Sequence, residues 1–203
     1  MTRRESIRLL GAAASSAASP AVSGAPSLTQ TDLFVSGEGA YHTYRIPSLI
    51  PTKQGTLLAL CEGRKGGQGD SGNIDIVLRR STDRGRTWSA PVTIHDHGPD
   101  TIGNPCPVVD RKTGTIFLLL THNAGHVTER QIIDRSAPET RRVLVSASTD
   151  DGLSWTSPQD ITTAAKDPAW TWYATGPGVG IQLRTGRLVI PCDHAAADTK
   201  EFH

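Results

Sequence analysis

Two octapeptides decide the fold: Ser81-Thr-Asp-Arg-Gly-Arg-Thr-Trp88 and Ser148-Thr-Asp-Asp-Gly-Leu-Ser-Trp155. Both fit S-x-D-x-G-x-[ST]-W, and they lie 148 − 81 = 67 residues apart. An internal period of this kind marks a repeat architecture. The physics of the octapeptide is that of a hairpin turn. Asp83 and Asp150 can accept backbone N–H groups of their own turn. Gly85 and Gly152 supply positive φ. Trp88 and Trp155 then start a strand and bury a large face between sheets. These six residues are read as structural.

The likeness extends outward from both copies. Upstream lie Ile74-Asp-Ile-Val-Leu78 and Val143-Leu-Val-Ser-Ala147; downstream lie Ser89–Ile94 and Ser157–Ile161. An apolar strand after a glycine precedes each copy, at Gly55–Leu60 and Gly114–Leu120, and recurs at Gly186–Ile190. Small antiparallel sheets at this period suit a β-propeller. Composition agrees: Gly 20 and Pro 13 make 33 of 203 residues, a turn-rich β chain. Charged residues are 20% and net charge is +1, so neither a disordered tail nor a bulk-charge nucleic-acid binder is expected. No stretch approaches the roughly 18 apolar residues of a membrane span.

Residues 1–26 read as an export signal, charged at the start and small-residue-rich afterwards. The pair Arg3-Arg4 resembles a twin-arginine signal, although Arg8 interrupts the apolar core. Such a protein would be periplasmic or secreted; without a working signal it would be cytoplasmic. The fold argument therefore concerns 27–203. Cys61, Cys106 and Cys192 form no C-x-x-C pair, and buried thiols are the default. His95-Asp-His97 and His122-Asn-Ala-Gly-His126 are set aside as metal sites, the first as solvated, the second for lack of a helical pattern. No metal or cofactor is expected.

In order along the chain, Tyr44-Arg-Ile-Pro47, Leu57–Arg64, Gly69–Arg80, Asn104-Pro-Cys-Pro107, Val127-Thr-Glu129 and Thr175-Gly-Pro-Gly178 resemble the motifs of bacterial-type exo-α-sialidases, whose name for the octapeptide is the Asp box. The resemblance runs from about residue 38 to the end. It implies an all-β, six-bladed propeller. It also implies retaining hydrolysis of terminal α-linked sialic acid from glycoproteins, glycolipids or oligosaccharides, so the partner is a sialylated glycan.

The resemblance assigns residues. Arg45 matches the first of three arginines that grip the sugar's carboxylate, a task suited to a planar guanidinium. Arg64 matches an arginine facing the sugar, with a salt bridge to Glu62 as the alternative. Asp70, in the glycine-rich run Gly66–Gly72, matches the carboxylic acid that protonates the leaving group, and Asp75 is its rival. Asn104, Glu129 and His194 match sugar contacts. Trp172 and Tyr173 could stack on the substrate or simply pack. The family's nucleophile is a tyrosine activated by a glutamate. Neither Tyr41, Tyr44 nor Tyr173 stands at its position, and two of the three arginines also have no match. The chain is therefore expected to hold the N-terminal half of the domain, about three blades, inactive alone. The competing reading is a non-catalytic Asp-box module that binds sugar or protein. Nothing in the sequence fixes an oligomeric state.

Overall fold

The computed structural model describes residues 29–196. The export-signal reading at 1–26 lies outside the described residues. The chain divides into two units, Met1–Thr31 and Asp32–His203, and the fold is that of the second. It is all-β apart from two short helices. Strands β1 (Thr43–Pro51), β2 (Leu57–Arg64), β3 (Ile74–Ser81) and β4 (Val92–His95) form one antiparallel meander. Strands β5 (Thr101–Val109), β6 (Ile116–Asn123), β7 (Arg142–Ser148) and β8 (Gln159–Asp160) form a second. A single parallel pairing, Ile74 with Thr101, joins them into one sheet. Helix α1 (Glu129–Ile133) lies between β6 and β7, and α2 (Thr162–Ala165) follows β8. Two small sheets complete the chain: β9 (Trp170–Thr175) with β12 (Cys192–Ala196), and β10 (Ile181–Gln182) with β11 (Leu188–Val189).

The octapeptides form the turns after β3 and β7. Asp83 Oδ1 accepts from Thr87 N–H at 2.8 Å and Ser81 Oγ at 2.8 Å, and Gly85 N–H donates to Ser81 Oγ at 2.8 Å. Asp150 Oδ1 accepts from Ser154 N–H at 2.9 Å and Ser148 Oγ at 2.8 Å, and Gly152 N–H donates to Ser148 Oγ at 2.9 Å. Local donors favour the ionised carboxylate, and both aspartates are pulled down to about 2. The tryptophans sit ahead of the next strand instead of starting it: β4 begins at Val92 and β8 at Gln159. Trp155 packs on the main core, whereas Trp88 donates Nε1–H to Gly85 O at 3.1 Å.

The third glycine-led segment keeps its turn but little of its strand. Gly55, Gly114 and Gly186 have φ of 90°, 86° and 91°, three copies of one hairpin turn. Strand β11 is only Leu188–Val189.

Alternation along the strands builds the core. Leu58 and Leu60 of β2, Ile76 and Leu78 of β3, Ile116, Leu118 and Leu120 of β6, and Leu144 of β7 form one buried cluster between the meanders. A second cluster, Val127, Ile132, Trp172 and Ala195, seats α1 against β9 and β12. The two meanders differ mainly in one connection. Residues 65–73 join β2 to β3 and 124–141 join β6 to β7, so the second link is (141 − 124) − (73 − 65) = 9 residues longer. That extra length contains α1, capped by Thr128 in a capping box with Gln131.

Among the described residues no group of three or more potential ligands could hold a metal ion. His95 is buried, not solvated as expected, and burial pulls its proton affinity down to about 4. Cys61 and Cys106 are buried, while Cys192 is exposed. No helix among the described residues is long and apolar enough to cross a membrane.

Candidate active site

The octapeptide turns lie at one end of the meanders; the opposite end opens on a cavity of about 290 Å³. Three repeats contribute to it by one device. Ile46, Asn104 and Gly176 each precede a proline, each has positive φ (52°, 55° and 77°), and each lines the cavity. At Ile46 and Asn104 the strand bulges, with register shifts at Arg45/Ser48 and Gly103/Cys106. A bulge re-aims side chains at a sheet end, and a β-branched residue at positive φ is strained by about 1–3 kcal/mol.

The wall begins with a buried ion pair on β2. Glu62 and Arg64 are each 2% exposed. Arg64 Nε and Nη2 donate to Glu62 Oε2 at 2.9 and 2.5 Å. Glu62 Oε1 accepts Asn104 N–H at 2.8 Å. Gly103 makes room for that bond: a Cβ there would lie 2.5 Å from Glu62 Oε1. The alternative reading of Arg64, a bridge to Glu62, is thus present, yet Arg64 also lines the cavity.

The glycine-rich loop is clasped rather than loose. Arg64 Nη1 donates to Gln68 O at 2.6 Å and Gly69 O at 2.7 Å, and Arg45 Nη1 reaches Gln68 O at 3.2 Å. Asp70 Oδ1 accepts from both Arg45 Nη1 and Arg64 Nη2 at 2.9 Å. Its side chain stays half exposed at the cavity. The rival, Asp75, is fully buried beneath Lys65 Nζ at 2.8 Å and Tyr41 OH at 2.7 Å and does not line the cavity.

Asn104 and Glu129 both line the cavity. Asn104 Oδ1 accepts from Thr121 Oγ1 at 2.9 Å and Arg141 Nη2 at 2.7 Å. Glu129, at the first turn of α1, has its carboxyl pushed up by burial and then by the charge of Asp70, with Arg141 opposing. On β9, Trp172 and Ala174 face the cavity, and Tyr173 faces away, stacked on Trp170.

His194 does not line this cavity. It pairs in register with Tyr173 on the outward side, and its ring stacks on Trp170 at 3.8 Å. The preceding residue, Asp193, pairs with Ala174 and lines the cavity with its carboxyl pushed up by burial. A one-residue offset changes the face of a strand. Sequence reasoning missed Asp193 and Arg141. Arg141 enters through the longer β6–β7 connection, and only the capping box at Thr128 hints that the chain folds back there. Tyr41, Tyr44 and Tyr173 do not line the cavity.

The BNR repeat-like domain family matches residues 55–203. An exo-alpha-sialidase of Arthroderma benhamiae is 38% identical over 79% of this chain and 43% of its own length. Human sialidase-4 is 40% identical over 78% of this chain and 34% of its own. This chain belongs to the BNR-repeat sialidase family. Among solved structures, the Hadza microbial sialidase Hz136 superposes with a TM-score of 0.75 at 33% identity, covering 83% of this chain and 35% of that one. The leech intramolecular trans-sialidase shares the fold, with a TM-score of 0.68 at 17% identity, covering 84% of this chain and 43% of its own. The chain spans less than half the length of these sialidases. No closed sheet forms among its described residues.

Proposed function

We propose that this sialidase-family chain carries the acid side of an exo-α-sialidase site, within a six-bladed propeller of which it supplies about three blades. The supporting observation is Asp70, held at a cavity by two arginines from neighbouring strands. Arg45 takes the carboxylate of a terminal sialic acid. Its bond to Asp70 is exposed and hence exchangeable for a ligand. Arg64, locked by Glu62, holds the loop and aims Asp70. Asp70 protonates the departing glycosidic oxygen and then deprotonates the attacking water, as retention requires of one residue. The nucleophile and the remaining carboxylate grip come from residues this chain does not match. The natural substrate is a sialylated glycan, met outside the cell if residues 1–26 direct export.

The test is aryl α-sialoside hydrolysis by the complete gene product containing this sequence. Asp70→Ala should lower turnover by about 10²–10⁴-fold on poor leaving groups and far less on activated ones. An unchanged rate on poor leaving groups would remove Asp70 from the acid role, and no hydrolysis by the wild-type protein would favour the non-catalytic binding module instead. The 203-residue chain alone should release nothing; robust turnover by it would overturn the division of labour.

A further inference from the structure

Arg141 is a buried cation most of whose donors the fold leaves unused. The residue is 2% exposed and lines the cavity. Its guanidinium lies over Trp172, 3.8 Å from the ring centroid. Nη2 donates to Asn104 Oδ1, while Nε is buried without a hydrogen-bond partner and Nη1 has none among the described residues. No carboxylate among them stands at ion-pair distance. Leaving a buried charge without an ion-pair partner is costly. Burial pulls its proton affinity down to about 10, and Glu62, Glu129, Asp193 and Asp70 act on it only at longer range.

The position is also braced. Lys166 Nζ donates to Arg141 O at 3.2 Å, Thr171 O at 2.5 Å and Thr140 Oγ1 at 2.5 Å. A fold that fixes an unpaired guanidinium at a cavity has prepared it for an acceptor that arrives from outside.

The surrounding charges select the acceptor. The cavity is lined by Arg64 and Arg141 against Glu62, Asp70, Glu129 and Asp193, a formal 2 − 4 = −2. Arg64 engages Glu62, and Asp70 engages Arg64 and Arg45. Arg141 is left with Glu129 and Asp193. A second anion placed there would meet both carboxyls. A neutral carbonyl or hydroxyl oxygen would take the Arg141 N–H, while an adjacent O–H or N–H donated to a carboxylate.

We propose that Arg141 is a substrate-contacting, specificity-determining residue that donates to a neutral oxygen of a sugar substituent, apart from the arginine that takes the carboxylate. This deepens the sialidase reading and rests on it for the identity of the sugar. It is tested by NMR on the complete gene product containing this sequence, labelled with ¹⁵N-arginine. The Arg141 Nε signal is assigned by its loss in Arg141→Lys. The probes are N-acetylneuraminic acid, N-acetylgalactosamine and acetate.

The signal should move with N-acetylneuraminic acid and not with acetate. Arg141→Lys and Arg141→Met should weaken that binding about tenfold or more, with circular dichroism checking the fold. The wild-type signal decides the matter even if Arg141→Met unfolds. If other arginine signals shift while Arg141 stays still, the proposal falls and the sialidase reading stands. If Arg141 answers only to the neutral sugar, the proposal stands and the sialic acid reading falls. If it answers to acetate alone, or to none of the three, the proposal is overturned.

Discussion

The two ends of the meanders use the same residue type in opposite ways. At the turn end, Asp83 and Asp150 are surrounded by their own backbone N–H groups and hydroxyls and held down to about 2. At the cavity end, Glu129 and Asp193 are half-buried, and desolvation pushes their carboxyls up. The turn carboxylates are satisfied within a few residues of sequence. The cavity carboxyls answer to groups from three or four separate elements. The first arrangement is fit to close a hairpin; the second keeps unsatisfied polar groups facing a ligand.

The contrast can be broken hardest at the ion pair. Glu62→Gln should cost about 1.5–3 kcal/mol in urea unfolding, because buried Arg64 loses a charged hydrogen-bond partner and keeps only the half-exposed Asp70 as an ion-pair partner. A loss near that of a surface substitution would show that the pair does not hold the cavity end. Next is Gly103→Ala, whose methyl would intrude on Glu62 Oε1. It should cost about 1–3 kcal/mol and weaken sugar binding as well. Stability loss with unaltered binding would separate the ion pair from the site.

At the turn end, Gly152→Ala should cost more than Gly85→Ala. Both glycines have positive φ (79° and 84°), worth about 1–2 kcal/mol to a side chain. Only Gly152 would also press on Leu58, at 2.9 Å, against 3.6 Å from Gly85 to Leu57. Equal losses would mean the second turn does not pack on the first meander as described.

The smallest effect is the pH slope. Asp83 and Asp150 bind protons less readily folded than unfolded. Their stabilisation is complete above about pH 4, the ordinary carboxylate value, and is lost as pH falls towards 2. Glu129 and Asp193 are raised, so they favour the fold at low pH. That advantage is lost as pH rises from the ordinary carboxylate value through their raised ones. Tm measured across pH should therefore flatten on the acid limb in Asp83→Asn/Asp150→Asn and above it in Glu129→Gln/Asp193→Asn. Both pairs flattening the same limb would erase the contrast.

The same division explains what the sequence disclosed. The octapeptide turns were readable because their bonds close within four residues. Arg45, Arg64, Asp70, Asn104 and Glu129 were readable only through resemblance to known sialidase motifs, and the structure gathers them at one end: Arg45 bonded to Asp70, the other four on the cavity wall. His194 has only its nearness to the matching segment to recommend it, and strand alternation gives that position on the wall to Asp193. Arg141 carries no local pattern. Its role depends on Trp172, Asn104 and Lys166, none within twenty residues of it except by folding.

One residue of the second octapeptide has a reach beyond its own turn. Asp151 accepts Arg80 Nε and Nη2 through its backbone carbonyl at 3.1 and 2.9 Å, and its Oδ2 accepts Thr56 Oγ1 at 2.5 Å. The first octapeptide carries Arg84 at the same place, and Ala147 stands where Arg80 does. The tandem units are therefore not interchangeable bricks. That single variable letter works as an address, telling each unit which neighbour to stack upon. Positions 80 and 151 should co-vary among relatives, a link that the letters shared by the two octapeptides do not reveal.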